Sequence, residues 1–228
     1  MFRGKKYKKV AESFDHTKEY GLEDALQILK KSELKFDQTV ELHFNLGVDP
    51  KQTDQAIRGT VVLPNGTGRK VRVLVFCKDN NFQIAKDAGA DYVGGADLVQ
   101  KIQEGWLDFD SVIATPDMMP VISKVARVLG PRGLMPSPKA GTVTVNVAQT
   151  VKELKAGKIQ YRIDKGSNVH APVGKLSFTV PQLAENAKTV IDSVVKSRPQ
   201  TAKGVFIKSI YLSATMAPGV KLDMGLTR

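Results

Sequence analysis

A single cysteine, Cys77, stands among 228 residues, so no disulfide can form within the chain and a reducing compartment is expected. Cys77 ends the apolar run VRVLVFC, where a small buried hydrophobe is the simpler reading than a reactive thiol. Aromatic residues are few, at 7%, within an apolar fraction of 42% that is ordinary for a soluble protein. No stretch of about 18 apolar residues occurs, which excludes a membrane-spanning helix. The opening MFRGKKYKKV is basic, but no apolar segment follows it, so no secretory leader is expected. The three histidines, His16, His43 and His170, lie far apart along the chain, so no metal site is expected. No phosphate-loop motif and no G-x-S-x-G occur. NGTGRK (65–70) runs into a strand rather than a helix N-terminus, so it reads as a flexible joint at Gly66 and Gly68. Asp108 and Asp110 precede an apolar strand instead of following one, which argues for solvated loop charges rather than a catalytic pair.

What is present is positive charge. The net charge is +11, and residues 158–228 hold 11 basic against 4 acidic residues. A balance of this kind points to a polyanionic partner. No Asp or Glu occurs between Asp117 and Glu153, and this interval contains LGPRGLMPSPKAGTV (129–143). Its glycines and prolines exclude a regular helix or central strand, and Leu129, Leu134 and Met135 are too apolar for a solvated linker. It reads as an ordered loop displaying Arg132 and Lys139. At the other extreme of the chain, Arg3, Lys5, Lys6, Lys8 and Lys9 form a basic arm, read as solvated or frayed.

Periodicity organises the rest. Helical spacing covers 21–31, and KFDQTVELHFNLGVDP (35–50) alternates Val40, Leu42, Phe44 and Leu46 with Thr39, Glu41, His43 and Asn45. IRGTVVLP (57–64) is a second strand, expected to pair antiparallel with the first. Between 71 and 157, short apolar strands alternate with helices, and MMPVISKVARVLG is mostly helical, the pattern of a parallel α/β sheet. The last third holds strands at 158–164 and from Val169, a helix at 181–197, and a closing strand. Phe206, Ser209, Tyr211 and Ser213 are expected on one face of that strand, and Thr215–Pro218 turn after it.

LGPRGLMPSPKAGTV, KFDQTVELHFNLGVDP, GADYVGG, GWLDFD, VHAPVGK and the closing TMAPG together resemble the L-one family of large-subunit ribosomal proteins in its bacterial form, over essentially the whole chain. The resemblance implies an α/β (α+β) fold of two domains. Residues 1–66 plus 158–228 would form a discontinuous RNA-binding domain with a split β-α-β sheet. Residues 67–157 would form an inserted Rossmann-like domain that binds no nucleotide. Two chain crossings, at Gly66–Gly68 and Gly157, would act as a hinge. The implied protein is not an enzyme, needs no cofactor or metal, and sits in the cytoplasm on the large subunit. Its implied partners are large-subunit ribosomal RNA at the mobile stalk, exit-site tRNA whose release it assists, and its own-operon mRNA, which it represses; off the ribosome it would be a monomer.

The family's RNA-binding positions fall on Lys35, Phe36, Thr39, Asp164, Lys165, His170, Lys175, Ser177, Ser209, Thr215, Met216 and Ala217. Lysines would meet phosphates, hydroxyls would meet 2′-hydroxyls or phosphate oxygens, and Phe36 and Met216 would pack on sugars. Ala217 departs from the family, which usually has Gly there, and this raises the question of whether that backbone needs φ > 0. Arg3, Lys5, Lys6, Arg132 and Lys139 would add secondary contacts. The rival readings are a nonspecific basic nucleic-acid binder and a nucleotide-dependent α/β enzyme.

Overall fold

Alternation of apolar and polar residues at Thr39–Leu46 produces a strand with one buried face, and the strict burial pattern of the eight residues shows it. The computed structural model describes residues 4–32, 34–78, 81–202 and 204–227, without the side chains of Thr53, Lys139 and Thr227. Arg3 and the side chain of Lys139 therefore lie outside the described residues.

Along the chain come α1 (Lys5–Ala11), α2 (Leu22–Lys30), β1 (Thr39–Leu46) and β2 (Arg58–Val62). Then follow β3 (Val73–Phe76), α3 (Phe82–Asp87), β4 (Tyr92–Gly94), α4 (Ala96–Gln103), β5 (Ser111–Ala114), α5 (Met119–Ile122), α6 (Ala126–Leu129) and α7 (Val147–Ala156). The last elements are β6 (Lys158–Arg162), β7 (Asn168–Lys175), α8 (Val180–Lys196), β8 (Ile207–Ala214) and β9 (Val220–Lys221). The fold is mixed α/β, and the chain divides into two compact units, 1–68 with 159–228, and 69–158.

In the first unit an antiparallel sheet runs β7-β1-β8-β9. Val40, Leu42, Phe44 and Leu46 on β1, Val169, Ala171 and Val173 on β7, and Ile210, Leu212 and Ala214 on β8 all point into one core. The amphipathic helices α2 and α8 cover that face, with Leu26, Leu29, Ala187, Val190 and Val194 fully buried. Among the described residues the opposite face carries Thr39, Glu41, His43 and Asn45 of β1 beside Ser209, Tyr211 and Ser213 of β8, and it stays polar. Asn186 on α8 is buried yet fully used: its Oδ1 accepts from the Asn65 backbone N–H at 3.0 Å, and its Nδ2 donates to the carbonyls of Gly66 (3.0 Å) and Val173 (2.8 Å). A buried amide stays in a core only when its donors and acceptor are met.

Four local expectations change here. β1 does not pair with β2: both its edges are taken, by β7 and by β8, so β2 pairs with β6 instead. The basic arm is ordered over Lys5–Ala11 as a short helix, because Val10 is buried and anchors it. The closing strand carries a register shift at Asn45/Leu46, opposite Ser209 and Ile207, that adds one residue at Lys208. That bulge resets the alternation, so Ser209, Tyr211 and Ser213 share the polar face while Phe206, outside the strand, is buried. Finally, the helical stretch after β5 is broken into a 3₁₀ turn, α5, another 3₁₀ turn and α6.

The second unit has a parallel sheet, β4-β3-β5. Leu74, Phe76, Val112 and Ala114 face α4 and the segment after β5, and Val73, Val75 and Ile113 face α3 and α7. A strand covered on both faces must be apolar throughout, which is why β3 shows no alternation. The Gly/Pro loop is stitched to this sheet. The Ala114 N–H donates to the Thr142 carbonyl (2.9 Å), the Thr144 N–H donates to the Ala114 carbonyl (3.0 Å), and the Thr142 hydroxyl accepts from the Ser137 N–H (2.9 Å). Asp110 is not a solvated loop charge. It accepts from Arg69 Nη2 at 2.5 Å, from the Arg72 backbone N–H at 3.1 Å and from Arg72 Nε at 3.2 Å. Burial pushes its carboxyl up, but the Arg72 hydrogen bonds and the two guanidinium charges outweigh that and hold it below the ordinary range. Asp108, at 72% side-chain exposure, is the solvated one.

Candidate functional site

The uncovered face of the antiparallel sheet is built from the outward positions of its strands. In register, Thr39 lies opposite Lys175, His43 between His170 and Tyr211, and Asn45 between Asn168 and Ser209. β1 advances about 3.4 Å per residue, so Thr39 and Asn45 mark ends roughly 20 Å apart.

At the Thr39 end several family positions meet. Lys175 Nζ donates to Thr39 Oγ1 at 2.8 Å, the Thr39 backbone N–H donates to Thr215 Oγ1 at 3.2 Å, and the Thr215 N–H donates to the Thr39 carbonyl at 3.0 Å. Beside them Ser177 is held by Asp37, donating its hydroxyl to Oδ2 at 2.8 Å and its backbone N–H to Oδ1 at 3.1 Å. Phe36, Asp37, Gln38, Leu176 and Ser177 line a cleft of ≈ 460 Å³. Phe36 is 49% exposed at its rim. Lys35 is exposed next to it.

The turn after β8 is closed by the Ala217 N–H on the Ala214 carbonyl at 2.8 Å. Its third residue, Met216, has φ 64 and is 72% exposed. That is the position where a turn of this kind prefers Gly, and an L side chain there costs about 1–2 kcal/mol. The question raised by Ala217 is thereby answered: the left-handed residue is Met216, and Ala217 has ordinary backbone and packs against the core.

At the far end Asp164 shapes a polar corner. Its Oδ1 accepts from the backbone N–H groups of Gly166 (2.8 Å) and Asn168 (2.7 Å). These bonds, the Asn168 one foremost, depress the Asp164 carboxyl despite some burial. Lys165 is exposed on the corner, and Ser209 is half-buried opposite Asn45. His170 sits between the two ends. The twelve expected positions thus share one face and its rims, in two groups rather than one cluster. Arg132 is exposed on the loop of the second unit, and Lys5 and Lys6 lie on α1.

A family model described as the ribosomal protein L1p/L10e family matches residues 28–218. The chain belongs to this family. As a member of the L1p/L10e family it is a structural constituent of the large ribosomal subunit that binds ribosomal RNA, and the family is non-enzymatic. Its location is the large ribosomal subunit in the cytoplasm.

The L1p/L10e match also makes the polar neighbours of the expected residues worth naming. Glu41, His43, Asn45, Asn168, Tyr211 and Ser213 lie on the same face. The alternation of β1 could have found His43 and Asn45, since it marks them as outward. What it could not show is that His43 Nδ1 lies 2.7 Å from His170 Nδ1, so two of the three scattered histidines are in contact. Among the described residues no group of three or more His, Cys, Asp or Glu is placed to hold a metal ion.

Proposed function

We propose that ribosomal RNA is held on the polar face of the β7-β1-β8-β9 sheet, chiefly at its Thr39 end. The observation that carries this is the left-handed, exposed Met216 beside the Thr39–Lys175–Thr215 cluster. An apolar side chain held out in a costly backbone conformation gains nothing in the free protein, whereas against a ribose it excludes water from the adjoining hydroxyls and ammonium. Phe36 does the same at the cleft. Thr39, Ser177, Ser209 and Thr215 then recognise 2′-hydroxyls and phosphate oxygens, Lys35, Lys165, His170 and Lys175 meet phosphates, and Asp164 positions the corner. The face carries Glu41 and Asp164 among its cations, which disfavours a purely electrostatic binder.

On this reading, residues 1–66 with 158–228 are the discontinuous RNA-binding domain, and 67–157 are an inserted Rossmann-like domain hinged at Gly66–Gly68 and Gly157. The division of the chain at 68/69 and 158/159 supports it, as do the positive φ angles of Gly66 (67), Gly68 (70) and Gly157 (108). Arg132, Lys139, Arg3, Lys5 and Lys6 add secondary contacts. The protein forms the mobile stalk, assists release of exit-site tRNA, represses its own-operon mRNA through a similar RNA fold, and is a monomer off the ribosome.

The test is binding to a stalk-type ribosomal RNA fragment and to a scrambled RNA of equal length across a salt series. Binding of the first that persists at high salt while the second is lost supports a shaped interface. Equal affinities that collapse together with a steep salt slope overturn it in favour of a nonspecific basic surface.

A further inference from the structure

Across the middle of the polar face runs a chain of four side chains, of which the RNA reading above uses Asp164 and His170 but neither His43 nor Ser213. His170 Nε2 lies 3.5 Å from Asp164 Oδ2, His170 Nδ1 lies 2.7 Å from His43 Nδ1, and His43 Nε2 lies 2.7 Å from Ser213 Oγ. We propose that this His43–His170 pair is part of the RNA interface and takes up one proton when an RNA phosphate settles across the sheet. The inference rests on the polar face being the RNA surface.

The hydrogen bonds limit the pair to few arrangements. A contact between two Nδ1 atoms requires a hydrogen on one and a bare lone pair on the other. Asp164, ionised, only accepts, so His170 keeps its hydrogen on Nε2. In the neutral pair His170 Nδ1 is then bare, His43 carries its hydrogen on Nδ1, and His43 Nε2 is bare and accepts the Ser213 hydroxyl hydrogen. Ser213 is left presenting lone pairs outward, which suit a phosphate badly. Adding one proton reverses the chain. His170 becomes an imidazolium that donates from Nδ1, His43 moves its hydrogen to Nε2 and donates to Ser213 Oγ, and the Ser213 hydroxyl hydrogen is free to point outward. One proton thus adds a positive charge to the face and turns an outward acceptor into a donor. A second proton would place a hydrogen on both Nδ1 atoms and break the 2.7 Å contact, so uptake stops at one.

The surroundings set the direction. In the free protein, burial and the neighbouring His170 keep His43 below the ordinary imidazole range, with Glu41 pulling the other way, which is why the added proton rests on His170 rather than on His43. The groups near the pair are Glu41 on β1, Arg162 on β6 next to the Ile163–Val169 bridge, Asp164 and Lys165 at the corner, Tyr211 on β8, and Lys221 on β9, which is paired with Glu19 at 2.8 Å. A bound phosphate favours the charged form of the pair, so binding is coupled to proton uptake. Affinity therefore rises as pH falls through the bound-state value and levels off below the free-state value. One unit of difference is about tenfold in affinity.

The experiment is calorimetric titration of the full-length protein with the stalk-type RNA fragment, in two buffers of different protonation enthalpy, between about pH 6 and about pH 8 at constant salt. Proton uptake that peaks at about half a proton per complex between the free- and bound-state values and falls away on either side, with binding about tenfold tighter at the acid end than at the alkaline end, is expected. The double variant His43→Gln, His170→Gln should bind with little pH dependence and no uptake. Absence of uptake by the wild-type protein overturns the proposal without any variant, and so does uptake that persists in the double variant. Met216→Ala with Thr215→Ala separates the two ideas: if it binds as tightly as wild type, the face itself is wrong. If it binds weakly while the wild type takes up no proton, the face stands and the histidine pair falls.

Discussion

The two sheets of this protein bury apolar residues by opposite rules. β3 is apolar at every position because helices cover both sides of its parallel sheet. β1 alternates, because α2 and α8 cover only one side of its antiparallel sheet. A sheet covered twice has no face of its own left for a partner, and its unit displays polar groups on the outer sides of its helices and on loops such as 129–143. A sheet covered once keeps a flat row of side chains whose spacing is set by strand register, and a long, regular polymer can lie along it. The difference teaches where to look for RNA contacts: on the face that the helices leave open.

The comparison can be broken most forcefully in the shared logic of the cores. Phe44 is fully buried beneath the open face, and Phe44→Ala should cost about 3–5 kcal/mol in urea unfolding. A near-isosteric exchange sharpens the contrast. Val75→Thr in the doubly covered sheet buries a new hydroxyl and should cost about 1–3 kcal/mol. Thr39→Val on the open face should move stability by no more than about 0.5 kcal/mol. It should nevertheless weaken RNA binding about fivefold, the worth of one hydrogen bond. Equal stability losses for the two would erase the distinction.

Asp110 offers a pH signature confined to the second unit. Its folded carboxyl is held below the ordinary value, so its contribution is complete above about pH 4 and is lost as pH falls through the folded value. Asp110→Asn should cost about 1–2 kcal/mol at neutral pH and flatten that acid-side loss, as followed by Trp106 fluorescence during unfolding. One further effect is of opposite sign. Met216→Gly should stabilise the free protein by about 1 kcal/mol by relieving φ 64, while RNA binding weakens. A variant that is both more stable and binds as well would remove the reason for keeping a methionine there.

Much of the local structure was legible. The alternation of β1, the unbroken apolar run of β3, and the end of α7 at Gly157 all follow from residues close together in the chain. The site was legible only in part. Its family positions could be named from motifs, but not that they divide between two ends of one face. The histidines of the pair are 127 positions apart, and nothing near either one reports the other. Asp110 reads as a loop charge until Arg69 and Arg72 are brought around it.

The amino-acid sequence by itself determined the element types, the basic charge, the absence of disulfides and the family resemblance, because these depend on composition and on spacing within a few residues. Tertiary structure alone decided that β7 and β8 flank β1, that a bulge at Lys208 resets β8, that Met216 rather than Ala217 is left-handed, and that His43 meets His170. Each of those outcomes is set by which distant strand wins an edge, a competition among long-range pairings in which local preference has no vote.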